Sequence, residues 1–169
     1  MLWHGGLVWY GGFLGGLTCA IIYLKCKKMP VLKTLDLIIP YICLAHSMGR
    51  IGCFLNGCCY GRTSRWGIYF PLANDYRIPA QLFSSLGLLI IFVFLRLLQK
   101  RPHRQGFILF AYLIAVSIER FIEEFLRGDS PRDYWGLTIF QVISIAIFLS
   151  SVFLWNIILS PQKKTQENA

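Results

Sequence analysis

The chain has 169 residues, 56% hydrophobic and only 15% charged, where soluble domains run near roughly 45–50% and about 25%. With a mean hydropathy of +0.55, these proportions exclude a disordered chain and a disulfide-scaffold mini-protein, and they argue against a soluble enzyme. The net charge of +9 sits in short clusters between apolar runs, which fits anionic lipid headgroups rather than nucleic acid.

A helix that crosses a bilayer needs about 20 residues, so five would use roughly 100, and five apolar runs are present. The first covers about 4–24 and is followed by Lys25, Lys27, Lys28 and Lys33. The second, about 35–56, is the most polar, with Asp36, Pro40, His46 and Arg50. A polar loop follows at 57–78. The third run is about 79–98, the fourth about 106–126 and the fifth about 135–159, and a polar tail occupies 160–169. No stretch reads as a signal peptide with a small-residue cleavage site. The expectation is an all-α integral membrane protein, with residues 1–159 as a single transmembrane domain and 160–169 as a cytoplasmic tail. Ten basic loop residues fall on one side of such a bundle. Five fall on the other: Arg62, Arg65, Arg77, Arg127 and Arg132. The richer side is expected in the cytoplasm.

Placing an arginine at mid-bilayer costs at least about 2.5–3.5 kcal/mol, so Arg50 and Arg120 need a reason to be there. Arg120, Glu123, Glu124 and Arg127 are spaced to share one face of the fourth helix. His46, Arg50 and Cys53 do the same on the second. Gly49, Gly52 and Gly57 leave room there for a backbone or a ligand. In the alternating topology these groups fall at one depth, near the outer leaflet. Gln81, Gln141, His4 and Tyr10 fall there too. The expected architecture is therefore about five helices around a polar cavity that faces the outer leaflet. Two guanidiniums in a water-poor cavity suit a phosphate, which they bind bidentately without losing charge. The competing structural explanations are an intramembrane ion pair between Arg120 and Glu124, and interhelical hydrogen bonding by Gln81 and Gln141. Gly11, Gly12, Gly15 and Gly16 read as a packing face. Trp3, Trp9, Trp66 and Trp135 read as part of an aromatic belt.

Six cysteines show no strong zinc-finger spacing. Cys58 and Cys59 read first as small residues at a crowded helix end. A metal or redox role with Cys53 and His46 is the alternative. Cys19, Cys26 and Cys43 read as packing residues.

The run GRIGCFLNGCCYG at 49–61 resembles the signature of bacterial prolipoprotein diacylglyceryl transferases. Three stretches agree in order: PAQLF at 79–83, RFIEEFLR at 120–127 and QVIS at 141–144. The resemblance covers about residues 8–159. It implies a multi-pass enzyme of the bacterial cytoplasmic (inner) membrane, acting at the outer leaflet. Such an enzyme moves the diacylglyceryl group of phosphatidylglycerol to a lipobox cysteine thiol of a preprolipoprotein, releasing glycerol phosphate without a cofactor or a metal. Its implied partners are phosphatidylglycerol or a similar anionic phospholipid and the preprolipoprotein. Carried over, Arg50 and Arg120 would hold the headgroup phosphate. Glu124 and Arg127 would orient that pair, and Asn56, Gln81 and Gln141 would line the cavity. Cys53 replaces a usual Asn, Cys58 a usual Glu, Ile78 a His and Ser84 a Glu, so the resemblance implies a short, divergent member. The family's His-Gly-Gly segment matches His4-Gly5-Gly6 by letters. It matches Tyr10-Gly11-Gly12 by spacing from Arg50, and this second register puts Tyr10 at the catalytic position. The alternative from another class is a lipid-binding or anion-translocating membrane protein that keeps the fold without the chemistry.

Overall fold

The computed structural model describes residues 15, 16, 18–20, 22–127 and 136–159. His4, Tyr10, Trp3, Trp9, Trp135 and the tail 160–169 lie outside them. Four long helices and one hairpin follow a helical stretch that ends at residue 26. They are α1 (Val31–Leu55), β1 (Thr63–Phe70), β2 (Asp75–Arg77), α2 (Ala80–Gln99), α3 (Phe107–Leu126) and α4 (Ile139–Leu159). Three of them, α1, α2 and α4, are long and apolar enough to cross a membrane. The helix α3 matches them in length but carries Glu119, Arg120, Glu123 and Glu124 in its second half. The architecture is that of an all-α membrane protein, and the helix boundaries fall within a few residues of the apolar runs.

Chain punctuation sets the boundaries. Pro30 and Pro79 precede α1 and α2, where proline cannot continue the segment before it but suits a helix start. Gly106, at φ 91°, precedes α3. The helix α1 ends in a Schellman motif: Gly57 adopts φ 69°, its N–H donates to Phe54 O, and the N–H of Cys58 donates to Cys53 O. Thr138 and Gln141 form a reciprocal capping box at the start of α4. The Gln141 N–H donates to Thr138 Oγ1 at 3.3 Å, and the Thr138 N–H donates to Gln141 Oε1 at 3.0 Å.

The helices α1, α2 and α3 pack against one another, and α4 packs on α3. Ile39, Cys43, Leu88, Leu95 and Ile108 form the buried centre. Large apolar side chains such as Leu86, Ile90, Ile122 and Phe153 cover the outside, as a lipid-facing surface requires. Between helices in lipid there is little hydrophobic drive, so close packing and polar contacts decide the association. Ser47 Oγ donates to Ser85 O at 2.8 Å and Ser85 Oγ to Ser47 O at 3.0 Å, joining α1 to α2. The Cys43 thiol donates to Leu88 O.

The polar residues of the second apolar run have structural uses. Pro40 lacks the N–H that would satisfy Asp36 O, and Gln99 Nε2 on α2 donates to that carbonyl at 2.7 Å instead. The Asp36 carboxylate, on α1, caps a different helix. It accepts the N–H of Gly106 at 2.6 Å and that of Leu109 at 2.9 Å. A buried anion thus meets the unpaired donors and the positive dipole end of α3.

The 57–78 segment differs from the expected loop. The residues β-rich in Trp66, Ile68, Tyr69 and Phe70 turn at 71–74 and pair antiparallel with β2, with a register shift between Thr63 and Ile68. Phe70 is buried against Phe54 at the end of α1 and against Tyr60. The hairpin is joined to α3 by Arg62, whose N–H donates to Leu126 O and whose Nη2 donates to Phe125 O at 2.7 Å. A cation there also suits the negative helix end. Gly61 permits this approach, since a Cβ at that position would lie 2.6 Å from Leu126 O.

Replacing Asp36 with Ala leaves two α3 amides unpaired and is expected to lower unfolding stability in detergent by about 2 kcal/mol. Asp36→Asn, which keeps one acceptor oxygen, is expected to lose less. Thermal unfolding followed by circular dichroism measures both.

Candidate functional site

The end of α1, the start of α2, the end of α3 and the start of α4 meet at one end of the bundle. Their polar residues converge there. Glu123 Oε2 accepts Arg50 Nη2 at 2.9 Å and Arg120 Nη1 at 2.6 Å. Arg120 Nη2 lies 3.3 Å from Glu124 Oε2. The two carboxylates are sealed from the surface, at 2% and 0% side-chain exposure, while Arg50 and Arg120 keep 14% and 23%. The guanidiniums therefore meet in one place and still present an edge to a ligand. The Arg120 guanidinium also stacks on Phe140 of α4, 5.1 Å from its ring centroid.

This arrangement amends the expectation of two arginines free for phosphate. Both are already part-neutralised by protein carboxylates, and Glu123, rather than Glu124 with Arg127, is the group that joins them. Sequence spacing places Glu123 on the right face. It does not show that Glu123 also reaches Arg50 across to α1, a contact between residues 73 positions apart.

The remaining expected residues fall as follows. Gln81 is fully buried, and its Nε2 donates to Cys58 O at the end of the α1 turn. Gln141 is buried but engaged in capping α4. Asn56 is the C-terminal cap residue of α1 and is exposed. Arg127 ends α3. His46 is exposed, one turn before Arg50 on α1, and within electrostatic reach of Arg50, Glu123 and Arg120. Among the described residues, nothing lies within 4 Å of where a Cβ would stand on Gly49 or Gly52, so no described helix uses the room they leave. His4 and Tyr10 lie outside the described residues.

Ser84 shows how α2 and α3 share chemistry. Its Oγ donates to Glu119 Oε1 at 2.6 Å. The carboxylate that the resemblance implies at position 84 is thus matched by one held against that position from the facing helix. Glu119 carried no motif, and only its position one turn before Glu123 hints at the role.

Several buried atoms of the cluster have no hydrogen-bond partner among the described residues: Arg50 Nε, Gln81 Oε1, Glu123 Oε1 and both Glu124 oxygens. Buried polar groups without partners are uncommon and costly. Beside them, a nearly apolar groove of about 430 Å³ runs between α2 and α3. Ser84, Glu119 and Glu123 mark its polar side, and Gly87, Ile90 and Ile122 lie along it. A Cβ on Gly87 would lie 3.3 Å from Glu119 Cγ, so glycine keeps the groove open.

In the turn after α1, burial raises the Cys58 thiol pKa, but hydrogen bonds from Asn56, Cys59 and Cys53 outweigh it and hold the value below the ordinary one.

Removing the shared carboxylate by Glu123→Ala leaves Arg50 without its partner and Arg120 with Glu124 alone. A stability loss of about 3 kcal/mol is expected, and Glu123→Gln should lose less. Denaturant unfolding in lipid nanodiscs measures the difference.

A profile of the family described as prolipoprotein diacylglyceryl transferase matches residues 1–157. A phosphatidylglycerol–prolipoprotein diacylglyceryl transferase of Clostridium tetani is 37% identical over 159 residues, which is 90% of this chain and 64% of the relative. A second such protein, from Clostridium perfringens, is 42% identical over 161 residues, covering 90% of the chain and 62% of the relative. One from Prochlorococcus marinus is 34% identical over 173 residues, covering 89% and 58%. The chain spans roughly three fifths of the length of these curated relatives.

Proposed function

Because the chain belongs to the prolipoprotein diacylglyceryl transferase family, we propose that it transfers the diacylglyceryl group of phosphatidylglycerol to a cysteine thiol of a preprolipoprotein. The observation that carries this is the buried meeting of Arg50 and Arg120 on Glu123, with unpartnered polar atoms beside an apolar groove. One ligand with an anionic, hydroxyl-bearing head and an acyl tail would satisfy both halves. The exposed edges of Arg50 and Arg120 take the phosphate, charge against charge. Glu124 and Gln81 Oε1 accept hydrogen bonds from the glycerol hydroxyls. The acyl chain enters the groove between α2 and α3.

The thiol sulfur then forms a bond to the glyceryl carbon that carries the phosphate. The carbon–oxygen bond breaks, and its electron pair leaves on the phosphate oxygen as glycerol phosphate. Arg50 and Arg120 stabilise the charge that grows there. A thiol is mostly protonated at neutral pH, so a base must take its proton. Tyr10 is the candidate by spacing, with His4 as the other register. Arg127 and Asn56 complete the rim of the site. The site faces the outer leaflet of the bacterial cytoplasmic membrane, as the basic-residue imbalance supports. The substrates are an anionic phospholipid and a preprolipoprotein.

The neutralised arginines favour one competitor, a protein that holds lipid without reacting it. The two separate in an assay of the purified chain in lipid with labelled phosphatidylglycerol and a lipobox peptide. Release of glycerol phosphate is expected, and Arg50→Ala should slow it by about 10²–10³-fold. Lipid retention that depends on Arg50, without release, would instead leave the holding role. Gly87→Leu is expected to raise KM for the lipid by filling the groove while leaving the peptide KM unchanged, as initial-rate kinetics would show. Tyr10→Phe is expected to abolish turnover at neutral pH and His4→Ala to spare it; the opposite pattern transfers the base role to His4.

A further inference from the structure

We infer that Cys53, Cys58 and Cys59 form a binding site for a thiophilic metal ion, Zn²⁺ in the first instance, with the fourth coordination position left to water or an external ligand. The site goes beyond the transferase reading and does not depend on it. The three thiol sulfurs all lie within 4.8 Å of one another, and the three cysteines are free thiols. Around a tetrahedral zinc, Zn–S bonds of about 2.3 Å set sulfur–sulfur distances of about 3.8 Å. Rotation about the cysteine side-chain bonds spans the remaining gap without moving the backbone.

The backbone explains why an unpromising spacing yields a cluster. A Cys-x4-Cys-Cys run has none of the usual zinc spacings. The Schellman turn folds it back: Cys58 N–H donates to Cys53 O, so the chain after α1 returns over the residue five positions earlier. Gly57 supplies the first left-handed residue at φ 69°, and Cys59 supplies a second at φ 61°. Left-handed backbone is unfavourable for a residue with a Cβ. Strain of that kind is kept where the surroundings impose it, and it gathers at ligand clamps. Here it turns the Cys59 thiol back toward the other two. Gln81 Nε2 fixes the same turn from α2 by donating to Cys58 O. Zn²⁺ with three thiolates carries one net negative charge. Arg50, one helical turn from Cys53, and Arg127, which acts on Cys59 through its charge, are placed to offset it. Soft thiolate donors select zinc or monovalent copper over magnesium or calcium.

The test is a Co²⁺ titration of the full purified chain in detergent, after reduction and removal of the reductant. The expected result is a sulfur-to-cobalt charge-transfer band that saturates at one ion per chain and is displaced by Zn²⁺. Cys58→Ser should weaken Co²⁺ affinity more than tenfold. A chain with Cys19, Cys26 and Cys43 all changed to Ser should bind as before. Circular dichroism melting checks that Cys58→Ser folds, and Cys59→Ser is read in its place if it does not. No band in a folded chain whose thiols titrate as free overturns the site. So does a band that survives both Cys58→Ser and Cys59→Ser, or one that disappears in the chain lacking Cys19, Cys26 and Cys43. A disulfide among the three before reduction, followed by metal uptake after it, agrees with the site.

Discussion

An ionised side chain cannot stand alone in hydrocarbon, and this chain meets that constraint by tying α1 to α3 at both ends. Near the basic end, the Asp36 carboxylate on α1 takes the free amides of Gly106 and Leu109. Near the other end, Arg50 on α1 reaches Glu123 on α3. Both of these pairings cross between helices, while Arg120 pairs with Glu123 and Glu124 of its own helix. A cluster of this kind orients the helices even where the Coulombic gain does little more than offset desolvation.

The same pairing shapes what the site can do. Glu123 holds Arg50 and Arg120 close together against their mutual repulsion, so the two cations can address one anion. Their exposed edges keep the positive character, while the sealed carboxylates prevent the pocket from becoming a strong anion trap. In the proposed transfer, a phosphate that leaves as product would be better served by such a moderated charge than by two unopposed guanidiniums. The apolar groove between α2 and α3 lies against the carboxylate side of this cluster, which gives the pocket one wet wall and one oily one.

Much of the fold was legible because lipid imposes a coarse rule: apolar runs of about 20 residues read as helices. The boundaries from proline and glycine were legible for the same reason that these residues restrict the backbone. Arg50 and Arg120 stood out because they violate the rule. What the sequence alone could not reveal was pairing across helices. Asp36 looked like a flaw in its own helix, since a cap in trans leaves no local pattern. Glu119 and Glu123 depend on the rotation of α3 against α1 and α2. Gln141 looked like a lining residue, although Thr138 three positions earlier already spelled a capping box. The hairpin at 63–77 leaves little sequence signal, because its alternation is short and interrupted by a register shift. The sequence offers a metal role for Cys53, Cys58 and Cys59 only as an alternative, because their closeness comes from a left-handed turn rather than from spacing.

The two ties between α1 and α3 share one offset: Asp36 with Leu109 and Arg50 with Glu123 are both 73 positions apart. The two ties are fourteen positions apart on each helix, a rise of about 21 Å. The parallel helices are therefore locked in phase like two meshed gears. A slip of one residue where Gly106 meets Asp36 would swing Glu123 through about 100° and carry it off Arg50. The angular setting of the polar pocket is thus indexed from the far side of the bilayer, so an insertion or deletion near residue 106 acts on a site it never touches.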